Sequence, residues 1–133
     1  MGNTAETGKI GWIDITVENA PALRDFYARV VGWRAEDVGM GDYSDFNMTM
    51  PGNGEPAAGI CHARGGNADL PPQWLIYIVV PDVAASAAIC AEQGGKVLVG
   101  PKAMGGGHFC VIEDPTGAVA ALYQPPPDQA STV

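Results

Sequence analysis

The amino-acid sequence predicts an α+β fold of two tandem β-α-β-β-β modules, and three observations predict it. The first is a repeat. Shifted by 63 positions, Ile13, Ile15 and Val17 fall on Ile76, Ile78 and Val80, Ala22 and Ala28 on Ala85 and Ala91, and Gly32 on Gly95. Phe46 then falls on Phe109, and Gly54, Ala57 and Ala58 on Gly117, Ala120 and Ala121, without a gap. These ten identities compare with about four expected from a composition so rich in Gly and Ala. The second observation is that each half opens with a strand-like run and continues with a helical one. The third is that turn-forming residues separate these runs at matching places.

The elements follow in order. In IGWIDITVEN, Ile13, Ile15 and Val17 alternate with Trp12, Asp14 and Thr16, which is a strand with two different faces. Asn19 suits a helix N-cap, and Pro21 fits the first turn, where the backbone N–H has no helical partner. Leu23, Phe26, Tyr27, Val30 and Val31 recur at helical spacing as one apolar stripe, and Gly32 ends the helix. After a loop, SDFNMTM and AAGICHAR read as two strands joined by a Pro51-Gly52-Asn53-Gly54 turn. The second half repeats the order. WLIYIVV is a strand, Asp82 a cap, VAASAAICAEQ an Ala-rich helix, and Gly94-Gly95 its stop. KVLVG, HFCVIE and the alternating stretch from Ala118 to Gln124 supply three strands, with Asp114-Pro115-Thr116-Gly117 turning between the last two.

Composition bounds the function. A chain of 133 residues, 47% apolar and 17% charged, is long enough to bury a core of its own, so residues 1–133 are expected to form a single domain. Within it, module one covers about 10–64, a linker about 65–73, module two about 74–124, and a flexible tail 125–133. The net charge of −8 argues against nucleic acid, whose phosphates need a basic surface. No apolar run reaches the roughly 18 residues of a membrane span, and MGNTAETGK lacks a signal-peptide core, so a cytoplasmic protein without membrane partners is expected. Cys61, Cys90 and Cys110 are too dispersed for a disulfide framework and read as small buried side chains.

The paired β-α-β-β-β pattern resembles the vicinal oxygen chelate superfamily, which includes glyoxalase I, extradiol dioxygenases and bleomycin-resistance proteins. The resemblance runs from about Ile10 to Gln124, and FYARVVGW and DPTGAVAAL carry it most specifically. AGICHARG, with the aromatic-rich opening of the second half, is similar to a glyoxalase-like branch. The resemblance implies that the two modules curl a curved mixed sheet around a shared cleft. It also implies a homodimer, since such clefts are commonly completed by a second subunit; Ala57, Ala58 and Gly59 are small enough for close approach.

If Ile13, Ile15 and Val17 pack under the first helix, then Trp12, Asp14 and Thr16 face the concave side. The second half then presents Leu75, Tyr77 and Val79, and the closing strands Ala58, Ile60 and His62, followed by Ala121 and Tyr123. In metal-using members of the superfamily, ligands come from the start of each opening strand and from each closing strand. Carried over, those places are Trp12, Ala58, Leu75 and Ala121, and none is a ligand. No metal site and no cofactor are therefore expected. His62 and Cys61 are neighbours in a strand and face opposite ways, and His108 follows the flexible Gly105-Gly106-Gly107.

Two function classes remain. One is a metal-free binding protein that sequesters or senses a small organic ligand, with Trp12, Asp14, Thr16, His62, Tyr77 and Tyr123 as contacts. Its acidic balance suits a cationic ligand. The alternative is a glyoxalase-like lyase or isomerase, or a dioxygenase-like enzyme, with a non-standard site. Asp14 and His62 are then the candidate catalytic groups, with Tyr77 a further proton-transfer candidate. Trp74 is read either as a stacking surface or as ordinary packing.

Overall fold

The computed structural model describes residues 6–64 and 68–127. Its elements are β1 (Ile10–Val17), α1 (Ala20–Val31), β2 (Arg34–Gly39), β3 (Ser44–Thr49), β4 (Pro56–His62), β5 (Leu75–Val79), α2 (Val83–Glu92), β6 (Lys96–Met104), β7 (Gly107–Glu113) and β8 (Val119–Gln124). The α+β class and the doubled β-α-β-β-β order are those the sequence predicts. Part of the expected linker, residues 65–67, and the end of the expected tail, residues 128–133, lie outside the described residues. No helix among the described residues is long and apolar enough to cross a membrane.

The chain divides into two compact units. One spans Trp12–Trp74. The other joins the N-terminal residues as far as Gly11 to the chain from Leu75 onward. In that second unit Gly8 N donates to Val79 O and Val79 N donates to Lys9 O, both at 2.8 Å.

Both modules have the same mixed topology. In module one the order is β2-β3-β4-β1, with β1 parallel to β4 and the other pairs antiparallel. In module two it is β5-β8-β7-β6, with β5 parallel to β8. A parallel pair needs a crossover, and the helix after each opening strand belongs to it. The helices start on equivalent caps. Asn19 Oδ1 accepts from Ala22 N at 3.2 Å, and Asp82 Oδ1 from Ala85 N at 3.1 Å. Gly32 ends α1 in the left-handed conformation, as expected. In α2 that role passes to Gly94, with φ +94, while Gly95 is required for space.

Each module has its own core beneath its helix. Ile15, Ala20, Phe46, Met48 and Ile60 form one, with Leu23, Tyr27, Trp33 and Trp74 against it. Val83, Ala87, Cys110 and Leu122 form the other, with Ile78, Val80, Val97 and Ile112. The apolar stripe of α1 is narrower than the sequence predicts. Leu23 and Tyr27 pack inward, whereas Phe26, Val30 and Val31 are exposed. Ile13 is also exposed instead of packing under α1. The segment read as a loop after α1 contains β2, an edge strand whose residues RAEDVG are mostly exposed and carry no period-two signal.

Candidate functional site

The register assigns each sheet residue to a face. In module one, Ile15 pairs with Ile60, and both lie in the core under α1. Asp14 pairs with Gly59 and Thr16 with Cys61, so these four belong to the face away from the helix. Trp12 joins them, because a Cβ on Gly59 would lie 3.2 Å from its indole and 3.1 Å from the Asp14 Cβ. Asp45 and Asn47 alternate with the core residues Phe46 and Met48 and complete this face.

This corrects one expectation. Ala58, Ile60 and His62 do not share the face of Asp14; Gly59 and Cys61 do. His62 pairs with Val17, on the helix side. The structure therefore brings Trp12, Asp14 and Thr16 together and sets His62 on the alternate side of β4, from which its ring still reaches Asp45. In module two the expected face holds. Tyr77 pairs with Ala121 and Val79 with Tyr123, opposite the face of Ile78 and Leu122.

The helix-free face of module one is polar and dry. Asp14 is 5% exposed, Thr16 4% and Asp45 9%. Burial, followed by the negative charges of Asp14 and Asp45, pushes the Cys61 thiol well above its ordinary range. Cys61 is thus a protonated thiol, neither a thiolate nucleophile nor a ready metal ligand. Asp45 Oδ1 accepts from His62 N at 2.9 Å and sits 3.1 Å from His62 Nδ1. A carboxylate only accepts, so Nδ1 is the donor in this contact. The His62 ring also meets Tyr43 edge-on at 5.2 Å. These contacts hold the His62 ring at the end of β4 against Asp45 and Tyr43.

The other candidates fall into place. Trp74 Nε1 donates to Tyr27 OH at 3.1 Å, and its ring meets Tyr27 and Trp33 edge-on, so it belongs to the core of module one. His108 is exposed and lies within β7, opposite Gln124 and Ala103. Ala58 is 3% exposed, and Gly59 is buried beneath Trp12 and Asp14, so neither offers a surface for a second subunit. Sequence reasoning passes over Asp45 and Asn47, and it puts Cys61 on the face opposite His62 and so away from Asp14. The alternation in SDFNM was the available signal, once Phe46 and Met48 were assigned to the core.

The metal places implied by the resemblance do not fit a metal here. Trp12, Ala58, Leu75 and Ala121 offer no imidazole, carboxylate or thiolate. Among the described residues no three His, Cys, Asp or Glu side chains come together to replace them.

Comparison with known proteins adds a family. Residues 9–122 match the model of the Glyoxalase/Bleomycin resistance protein/Dioxygenase superfamily. A Mycobacterium bovis protein named "Putative glyoxylase CFP32" is 33% identical over 123 residues, covering 88% of this chain and 46% of that one. "Anthracycline biosynthesis protein DauV" of Streptomyces sp. (strain C5) is 27% identical over 133 residues, covering 88% and 47%. The chain thus spans about half the length of the curated relatives it matches. Methylmalonyl-CoA epimerase from Mycobacterium tuberculosis superposes with a TM-score of 0.55 at 17% identity, covering 99% of this chain and 97% of that one. That likeness is one of fold.

Proposed function

The chain belongs to the Glyoxalase/Bleomycin resistance protein/Dioxygenase superfamily, and from that premise we propose that it binds a small organic molecule on the helix-free face of module one. The observation that carries this is the buried Asp14, 5% exposed, sharing a face with Trp12 and Thr16. A carboxylate held away from bulk water is a strong acceptor for a ligand N–H, O–H or cationic group. The indole beside it supplies apolar surface, and one indole with a few fixed polar groups is the usual composition of such a site. The net charge of −8 favours a ligand bearing a positive charge. A relative named for anthracycline biosynthesis supports an aromatic, amphipathic ligand.

A second reading rests on the same residue. A desolvated carboxylate is also suited to proton transfer, which would make Asp14 the acid–base group of a lyase or isomerase. Thermal-shift screening against amphipathic aromatic amines, an anthracycline among them, tests the first reading. A ligand bound only by the folded protein raises its melting temperature. Asp14→Asn is expected to weaken such a ligand about tenfold, the loss of one charge-assisted hydrogen bond. If no compound stabilises the protein, the binding reading is wrong. If Asn at position 14 spares binding and abolishes a measured turnover, the enzyme reading replaces it. A homodimer is part of the proposal, supported by relatives with about twice this length, and light scattering showing only monomer would remove it.

A further inference from the structure

The helix-free face of module two has a different character from that of module one. Tyr77 and Val79 of β5 pair with Ala121 and Tyr123 of β8, and these pair in turn with Val111 and Phe109 of β7. The Tyr77 and Phe109 rings lie 6.5 Å apart at a 40° tilt. It is a hydrocarbon and aromatic wall that carries Glu113 and Lys96 at one end and, at the other, the charge of Lys102 from β6.

That charge is placed by an irregular ladder. Val97 opposes Ile112 and Lys102 opposes Phe109, so five steps along β6 match three along β7. An unbroken ladder would set Lys102 opposite Gly107, beyond the aromatic wall. The register shifts between Val97 and Val99 and again between Val99 and Lys102. Gly100 makes the second shift possible. Its φ is +78, and a Cβ there would lie 2.8 Å from Phe109 O and 3.0 Å from Lys102 N. Bulges of this kind re-aim side chains, commonly at binding sites. As a result Lys102, Phe109 and Tyr123 occupy one rung across three adjacent strands.

The Lys102 ammonium stands 5.7 Å from the centre of the Phe109 ring. Among the described residues it makes no ion pair, although the chain has 15 acidic residues to 7 basic ones. Lys102 and Tyr123 are half-buried and mark the accessible end of the wall, while Phe109 is 8% exposed. Resting on the small-molecule reading above, we propose that the rung Lys102–Phe109–Tyr123 binds a planar aromatic acid, its rings against Tyr123 and Phe109 and its ionised group on Lys102. Ring faces and edges favour a second π system, and an ammonium on an apolar wall favours a carboxylate or phenolate over a neutral or cationic group.

The test uses three matched probes, 2-naphthoate, 2-naphthalenemethanol and 2-naphthylmethylamine, titrated calorimetrically into the intact chain. Wild-type protein is expected to bind the naphthoate about tenfold more tightly than the alcohol, with the amine weakest. Lys102→Met, which keeps the alkyl stem over Phe109, should bring the ratio of acid to alcohol close to one. Lys102→Arg should retain the preference. Tyr123→Leu should weaken all three probes and leave their order intact. Circular dichroism identifies any variant that fails to fold, and Lys102→Gln then takes the place of Lys102→Met. If the alcohol binds as well as the acid, the anion anchor is refuted while the small-molecule reading stands. A preference that survives Lys102→Met also refutes it. If none of the three binds at millimolar concentration, this subsite is wrong, whereas the reading on module one is judged by its own Asp14 experiment.

Discussion

Gly95→Ala is expected to destabilise the protein by about 2 kcal/mol, while Gly39→Ala leaves it almost unchanged. The reasoning is geometric. A Cβ on Gly95 would lie 2.6 Å from Cys90 Sγ, 2.8 Å from Glu113 O and 3.3 Å from Cys90 O. Comfortable contacts between such atoms begin near roughly 3.5 Å, so the first two neighbours must each retreat by most of an ångström. The sulfur has a rotatable bond. The Glu113 carbonyl has none, because Glu113 is held opposite Lys96 where β6 and β7 meet. Overpacking of this kind costs about 1–3 kcal/mol, and one rigid clash with one yielding clash sits near the middle. At about 4 °C per kcal/mol for a chain of this size, the melting temperature should fall by about 8 °C. At Gly39, by contrast, a Cβ meets nothing within 4 Å. The assay is thermal and urea unfolding followed by circular dichroism, with Cys90→Ala completing a double-mutant cycle. Removing the sulfur should recover about half of the loss, as it leaves the carbonyl clash in place. Equal stability of Gly95→Ala and Gly39→Ala would refute the packing argument, and complete rescue by Cys90→Ala would refute the part assigned to Glu113.

The remaining predictions concern the caps and the thiols. Asn19→Ala and Asp82→Ala should each cost about 1 kcal/mol, and their effects should add, because each cap serves a helix in a different compact unit; strong coupling in denaturant unfolding would count against this. Burial, and then the neighbouring Cys90, raises the Cys110 thiol from its ordinary 9.0 to about 11. The folded state therefore holds this proton where the unfolded state releases it, so the contribution is complete below pH 9.0 and is lost as pH rises to about 11. Stability should decline over that window, and less steeply in Cys110→Ala; parallel pH profiles would contradict the assignment. Cys61, raised further still, should resist iodoacetamide at pH 8 more than Cys90 does, as read by mass spectrometry of labelled peptides.

The repeat made the fold legible and misplaced part of the site. One offset of 63 carries the opening strands and caps correctly: Ile15 onto Ile78 under the helices, and Asn19 onto Asp82. It fails for the later strands. Ile60, which pairs with Ile15, corresponds to Leu122, which pairs with Ile78, an offset of 62. Phe46, opposite Ile60, corresponds to Cys110, opposite Leu122, an offset of 64. The stretch from β3 to β4 is thus two residues longer than that from β7 to β8. The matches Phe46 with Phe109 and Ala58 with Ala121 are coincidences of sequence: Phe46 lies in the helix-side core, whereas Phe109 lies on the opposite face. A slip of one residue turns every side chain in a strand to the other face. Such a slip puts His62 on the face of Asp14 in the sequence reading and turns Cys61, which belongs there, away from it.

What remained illegible shares one cause. β2 carries charge on both of its faces, so the edge strand had no alternation to show. The position of Lys102 depends on two extra residues in β6 that only the pairing with β7 reveals. Composition gives the polar and apolar budget of each strand, and periodicity gives its two faces. Neither states which residue of the neighbouring strand lies opposite. In a sheet that pairing decides which groups meet: Cys61 with Thr16 beside Asp14, and Lys102 with Phe109 beside Tyr123. The chemistry assigned to each module therefore depends on register, and Asp14→Asn and Lys102→Met test it at one position in each.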